Sequence, residues 1–323
     1  MRTMLATQFN GYEGLEQVDA PKPRVAADRV VVRVTAAGVT PLEHTIVEGA
    51  FPRAKSPLVL GNEGAGIIDD AGTSGLAVGS RVAFTGAYGV AENGSWEEYV
   101  AVRSDDILPV PEGIDDVVAA SLPVAYLTAM ITLTQAGFAA GKTVFAPAIG
   151  GSVGNATYQL ARALGAATVI STAGSAEKAR RAAERGYDNV IDLSGEGIGD
   201  GVRRITGGTG VDVVIESLGG AFTEQALGAL ALDGTHVTLG YTVGRQARID
   251  VTDIIWKRAR MFGFMLAAQS PTTKLQAWNQ VMELIAHGTV VPLVERTYPL
   301  ERAAEALRYL HEERPFGKIV LEV

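Results

Sequence analysis

The sequence predicts an α/β protein of two domains, one rich in short β-strands and one a doubly wound parallel sheet. Three observations carry this reading. The first 120 residues break into short β-branched runs separated by Gly, Pro, Asn and Asp clusters. From Lys142 onward, Val- and Ile-rich runs alternate with amphipathic stretches of helical period. Glycine makes up 38 of 323 residues and is spread among the β-branched runs, as tight turns between many strands require.

In the first part, residues 29–35 (RVVVRVT), 58–60, 66–68, 81–84 and 96–102 read as strands. Residues 116–135 carry apolar side chains at helical spacing, interrupted by Pro123. The alternation then runs strand 142–147, helix 152–164, strand 167–172, helix 176–185 and strand 189–193. Further strands are expected at 212–217, 235–239 and 261–266, with helices at about 197–205 and 222–230 between them. Helices at about 271–287 and 300–312 precede a last β-like run, 318–323 (KIVLEV). That run needs a sheet, and the simplest arrangement returns it to the β-rich first part.

Composition narrows the function. The chain is 47% hydrophobic and 20% charged, ordinary for a globular protein, with a formal net charge of −8. An acidic chain with no basic block suits no phosphate backbone, so no nucleic-acid partner is expected. No apolar run reaches the roughly 18 residues of a membrane span, and no apolar stretch follows Met1-Arg2-Thr3-Met4 as in a secretory signal. A cytoplasmic location is the expectation. The absence of cysteine excludes disulfides, thiol catalysis and cysteine-ligated metal. His44, His236, His287 and His311 are scattered, so no metal is expected.

One motif carries chemistry. Residues 143–165 read TVFAPAIGGSVGNATYQLARALG, a strand, a glycine-rich turn and a helix. In such a turn, backbone N–H groups approach a pyrophosphate at the positive end of the helix. The spacing is Ala148-x-x-Gly151-x-x-Gly154, with Ile149 where the first glycine of G-x-G-x-x-G is usual. The next strand ends Ser171-Thr172-Ala173-Gly174-Ser175, followed by Lys178, with no acid to bind ribose hydroxyls. Hydroxyls and a cation suit a 2′-phosphate, which favours NADPH over NADH. The alternative is that Ser175 caps the following helix while Lys178 and Arg181 form its solvated face.

These segments resemble a known family. Ala37-Gly38-Val39, Gly61-Asn62-Glu63-Gly64-Ala65-Gly66, Val78 to Val82, Leu122-Pro123-Val124 and the turn at Gly151 stand in the order of the zinc-independent medium-chain dehydrogenase/reductases. So do Gly210 to Val214, Ser217-Leu218-Gly219-Gly220 and Gly317 to Leu321. The chain is similar to the quinone oxidoreductase, or zeta-crystallin, branch over nearly its whole length. The resemblance implies a GroES-like β-rich catalytic domain, 1–122 and 267–323, around a Rossmann domain, 123–266, with the cofactor lying between them. It implies that Gly151, Ser152, Val153 and Gly154 hold the pyrophosphate, and Ser175 and Lys178 the 2′-phosphate. It places Thr128 at the nicotinamide, Ser217, Gly240 and Tyr241 along the cofactor groove, and Lys318 at the cofactor from the returning tail. A homodimer is also implied, often through an edge strand of the Rossmann sheet.

Departures from that family bear on the substrate. Thr40 and Asn62 stand where zinc-dependent relatives carry Cys and His, and Thr45 and Phe51 where many quinone reductases carry Tyr. Leu193 stands at the position of a tyrosine that often helps hold the NADPH phosphate. A quinone or conjugated enone delocalises incoming charge itself, so its reduction needs one hydrogen-bond donor at the oxygen and no metal. Thr40 is the expected donor, with Thr45, Tyr88 and Tyr126 as other hydroxyls and His44 a less favoured proton relay. Reduction of an alkenal or enoyl-thioester double bond is the alternative reaction. A low-turnover NADPH-binding protein of the crystallin kind is the alternative outside enzymes.

Overall fold

Two short strands open the chain, β1 (Arg2–Ala6) and β2 (Leu15–Asp19), paired antiparallel. They are followed by β3 (Arg29–Val39), the seven-residue helix α1 (Pro41–Val47), β4 (Leu58–Val59), β5 (Glu63–Asp70), β6 (Arg81–Thr85), β7 (Tyr99–Arg103) and β8 (Ile107–Pro109). Helix α2 (Asp116–Ser121) and helix α3 (Pro123–Gln135) come next, Pro123 starting the second helix because it cannot continue the first. This computed structural model describes residues 1–323. Strands β2, β1 and β4 form one small sheet, and β3 is the long strand of a second, pairing with both β5 and β7. Glycines let these strands pack closely. A Cβ on Gly66 would overlap the Arg33 carbonyl across the β3–β5 pair, and one on Gly61 (φ 95°) would overlap Ser95.

The second unit alternates strand and helix: β9 (Thr143–Phe145), α4 (Ser152–Ala163), β10 (Thr168–Ala173), α5 (Ala176–Glu184), β11 (Val190–Asp192), α6 (Ile198–Thr206), β12 (Val211–Glu216), α7 (Ala221–Gly228), β13 (Leu230–Thr238), α8 (Val251–Lys257), an element the sequence reading lacked, and β14 (Arg260–Gly263). All six strands are parallel, in the order β11-β10-β9-β12-β13-β14. The direction of winding reverses between β9 and β12, the switch point outside which such sheets bind ligands. Phe145, Ile170, Ile191 and Val214 from four adjacent strands supply its core with Val202 and Leu227 from the helices.

Helix α9 (Pro271–Ala286), β15 (Val294–Pro299), α10 (Ala303–Glu313) and β16 (Lys318–Glu322) complete the chain. Strand β16 pairs antiparallel with β3 and parallel with β15, so the KIVLEV tail does return to the sheet built on β3 in the β-rich first part. The first unit comprises Met1–Val124, Ala267–Trp278 and Pro292–Val323; the second comprises Ala125–Leu266 and Asn279–Val291. The sequence reading kept all of 267–323 in the first domain. Residues 279–291 instead group with the second, where the side chain of Gln159 donates to the Val291 carbonyl (3.0 Å) and accepts from its N–H (2.8 Å).

Candidate functional site

The turn after β9 has the geometry of an anion cradle. Gly151 is the N-cap of α4 and provides no side-chain cap. Its own N–H bonds the Ala148 carbonyl (2.8 Å), and the Asn155 N–H bonds the Gly151 carbonyl (2.9 Å). That leaves the N–H groups of Ser152, Val153 and Gly154 as the first three of the helix, without intrahelical acceptors. They sit at the positive end of the helix dipole. Thr172 at the end of β10 fixes the turn, its hydroxyl accepting from the Ala148 N–H (2.9 Å) and its carbonyl from the Ile149 N–H (2.9 Å). Ala148 is held at φ 63°, a conformation rare for a side-chain-bearing residue.

The two glycines of the turn are needed for different reasons. A Cβ on Gly154 would overlap the Pro147 and Ala148 carbonyls, so its absence lets helix and strand approach. A Cβ on Gly151 would meet only Ala148, at 3.3 Å from its oxygen, and φ −81° suits any residue. The chain's own packing scarcely requires a glycine there. The space this leaves over the turn, with the three free N–H groups beside it, fits a pyrophosphate.

The other residues named from the sequence in this unit cluster at the same end of the sheet. Ser175 follows β10, Ser217 follows β12, and Gly240 and Tyr241 follow β13. Ser217 and Gly240 are in backbone contact, since a Cβ on Gly240 would overlap the Ser217 carbonyl. Ser175 also caps α5, accepting from the Lys178 N–H at 3.3 Å. A Cβ at Gly174 would meet nothing within 4 Å, so the strand tip is open. Thr128 lies buried on α3, Tyr241 is exposed with the Arg245 guanidinium 5.2 Å from its ring centre, and Leu193 packs against the core.

Sequence reasoning missed Glu216, the last residue of β12. Fully buried, it accepts hydrogen bonds from the Leu218 N–H, the Gly219 N–H (2.7 Å) and the Thr223 hydroxyl (2.8 Å), and so shapes the loop that carries Ser217. Burial alone would raise its pKa. His236, 3.9 Å away, and these three donors outweigh burial and hold the carboxyl below its ordinary value.

In the first unit, Thr40 caps α1 in a reciprocal capping box. Its N–H (2.7 Å) and its hydroxyl both donate to Glu43 Oε2, and its oxygen accepts from the Leu42 N–H (3.3 Å). Glu43 Oε1 accepts from the Asn62 N–H (3.1 Å). Burial raises the Glu43 pKa, against the hydrogen bonds from Thr40 and the charge of Lys318. Lys318 does not stand free to reach a cofactor: its ammonium is buried and paired with Glu63, whose second oxygen accepts from the Val124 N–H (2.7 Å). Glu43 and Glu63 were not singled out from the sequence, although Thr40-Pro41-Leu42-Glu43 is a capping-box signature.

Two of the other hydroxyls are committed elsewhere. Tyr88 donates to Asp106 (2.9 Å) and accepts from the Arg103 N–H (2.8 Å) inside the core, and Thr45 bonds the Pro41 carbonyl (3.1 Å). Tyr126 is buried. His44 lies on α1, shares a hydrogen bond with the Tyr12 hydroxyl (2.9 Å) and stacks on His311 at 3.6 Å.

Residues 152–287 match a family model described as zinc-binding dehydrogenase, and residues 26–112 one described as the alcohol dehydrogenase GroES-like domain. The residues present do not fit zinc. No three His, Cys, Asp or Glu side chains converge, and the carboxylate that touches both ligand positions, Glu43, is taken up by hydrogen bonds from Thr40 and Asn62. The chain is 31% identical to the quinone oxidoreductase of Mus musculus, with 99% of this chain and 97% of that one covered. It is 30% identical to that of Rattus norvegicus over the same shares. A mycobacterial protein solved in complex with NADPH superposes with a TM-score of 0.89 at 28% identity, all of both chains being covered. A quinone oxidoreductase of Pseudomonas syringae gives a TM-score of 0.89 at 26% identity, covering 100% and 99%. With this fold and these relatives, the chain belongs to the quinone oxidoreductase family of the medium-chain dehydrogenases/reductases.

Proposed function

We propose that the protein reduces quinones or conjugated enones with NADPH and without a metal ion. The observation that carries this reading is the uncapped turn at Gly151 beside a strand tip with Ser175 and Lys178 and no acid. The relative solved with NADPH supports the same cofactor. Bound there, NADPH supplies the hydride. The N–H groups of Ser152, Val153 and Gly154 bind the pyrophosphate, and Ser175 with Lys178 binds the 2′-phosphate. Thr128, Ser217, Gly240 and Tyr241 line the groove and orient the nicotinamide. Lys318 is left out of this set, because its ammonium holds Glu63.

Thr40 is the proposed donor to the acceptor's oxygen, in a form that the geometry alters. Its proton points at Glu43. When Glu43 is protonated, the state that burial favours, it donates to Thr40 Oγ1 and frees the Thr40 proton for the substrate oxygen. Thr40 is then the catalytic residue and Glu43 its positioning residue. Electron-poor conjugated acceptors suit one neutral donor, whereas an isolated ketone needs a stronger electrophile.

Cofactor titration and steady-state kinetics test the proposal together. The wild type is expected to prefer NADPH to NADH and Lys178→Ala to lose about tenfold or more of that preference. Turnover is expected with 1,4-benzoquinone or a 2-alkenal and not with ethanol or cyclohexanone, and Thr40→Val is expected to lower kcat about tenfold to a hundredfold. Equal use of NADH, or cyclohexanone reduced as fast as the quinone, overturns it.

We further propose a homodimer. Val251, Ile255 and Trp256 on α8 are 63%, 64% and 76% exposed, and β14 next to it leaves one edge unpaired. Sedimentation at micromolar concentration should give twice the chain mass, and Trp256→Glu should give one; a monomeric wild type rejects the dimer.

A further inference from the structure

A cavity of about 370 Å³ opens in the first unit and shares no residue with the sites above. Leu5, Val18, Val59 and Val100 form much of its apolar wall. Thr3 and Glu97 also line it, and they face each other across an isolated antiparallel bridge, which puts both side chains on one face. They are 1% and 4% exposed. The Thr3 hydroxyl oxygen has no hydrogen-bond partner, and no cation of the chain pairs with Glu97.

The other charges on that wall are matched. Arg29 lies 2.5 Å from Glu92 and donates to the Ala101 carbonyl (2.9 Å). The Met1 amino group donates to the Ala20 carbonyl (2.9 Å), 4.0 Å from Asp19. One acid therefore remains without a counter-charge, with the Thr3 hydroxyl beside it, in a cavity of ligand size that has an apolar wall. Buried carboxyls in folded proteins are normally paired or fully hydrogen-bonded, and this one has only the neighbouring Thr3 hydroxyl.

We propose that this cavity binds a small organic cation, a primary ammonium on an apolar body. The three donors of an ammonium match the two Glu97 oxygens and Thr3 Oγ1, while the apolar body lies on Leu5, Val18, Val59 and Val100. A neutral alcohol gains only the apolar contact and one hydrogen bond. The site also links binding to pH. Burial pushes the Glu97 carboxyl up to about 8, the nearby Thr3 hydroxyl offsetting only part of that. Below that value Glu97 is protonated when empty, so an arriving ammonium must expel its proton, and affinity rises from pH 6 to pH 8. The Arg29–Glu92 pair and the Met1 amino group face the same space.

Calorimetric titration of the full chain with n-hexylamine, a cation at these pH values, and with n-hexanol tests this. The amine is expected to bind about tenfold or more tightly than the alcohol, and more tightly at pH 8 than at pH 6. At pH 6 a proton is released, read from the dependence of the heat on buffer ionisation. Glu97→Gln, which keeps the shape of the protonated acid, is expected to erase the advantage of the amine, and Thr3→Val to reduce it. Equal binding of amine and alcohol, undiminished amine binding by Glu97→Gln, or no binding of either to the wild type overturns the proposal.

Discussion

Glu63 and Lys318 are 255 positions apart in the chain and meet in the interior, 0% and 4% exposed at their side chains. Two ions out of water are tolerated only because each neutralises the other and the Val124 N–H satisfies the second carboxylate oxygen. Replacing Lys318 by Ala leaves Glu63 buried without its counter-ion. The expected loss of stability is about 3–5 kcal/mol by urea unfolding. The double variant Glu63→Gln/Lys318→Met should recover most of it, and a Lys318→Ala loss below about 1 kcal/mol would show that water reaches the pair. Nothing in the sequence pointed to this contact. Gly317-Lys318-Ile319 was legible as a motif, but no periodicity links residue 63 to residue 318, so the resemblance assigned the lysine to the cofactor. Thr40 shows the opposite failure. Its partner lies three residues away in a legible T-x-x-E pattern, yet the hydroxyl was read as a free donor.

At the scale of one element, the β9–turn–α4 segment was legible nearly to the residue, because a strand buried on both faces reads as an uninterrupted apolar run. Strands β1 and β2 were not seen: Arg2 to Ala6 has no alternation, and β1 pairs with the distant β4 as well as with β2. Helix α8 was missed because no residue of it is buried, which leaves no inward stripe to detect. Strand β13 starts earlier than expected, at Leu230, because Asp233 (φ 61°) and Gly234 break the pattern before Thr235. The turn itself yields a paired prediction. Gly154→Ala forces helix from strand and should lower stability by about 1–3 kcal/mol. Gly151→Val has only Ala148 to meet, so it should fold with a melting temperature close to wild type while losing NADPH binding in a fluorescence titration. If Gly151→Val binds NADPH as wild type does, the turn serves the fold alone.

Across the whole molecule, three buried or half-buried groups, His44, Glu43 and Glu97, contribute to how stability varies with pH, and they act in opposite directions. Burial lowers the His44 pKa, and the stacked His311 lowers it further, against Glu48. The unfolded chain therefore binds protons more readily at this site, and stability falls as pH drops through the ordinary histidine value of about 6.5. Burial raises Glu43 and Glu97, the latter to about 8. Their contribution is fully present below the ordinary glutamate value of about 4.3 and is lost as pH rises through the folded values, because the unfolded carboxyls ionise first. The two tendencies oppose each other between those limits, and above pH 6.5 only the carboxyls remain. Melting temperature is therefore expected to decline from pH 6.5 to pH 8.5 in the wild type. Glu97→Gln should melt higher than wild type at pH 8.5 and show a shallower decline, since an amide has no proton to lose. His44→Gln should instead reduce the loss below pH 6.5 and leave the alkaline limb unchanged. Parallel curves for the wild type and Glu97→Gln above pH 6.5 would mean that solvent reaches Glu97 and keeps its carboxyl near its ordinary value.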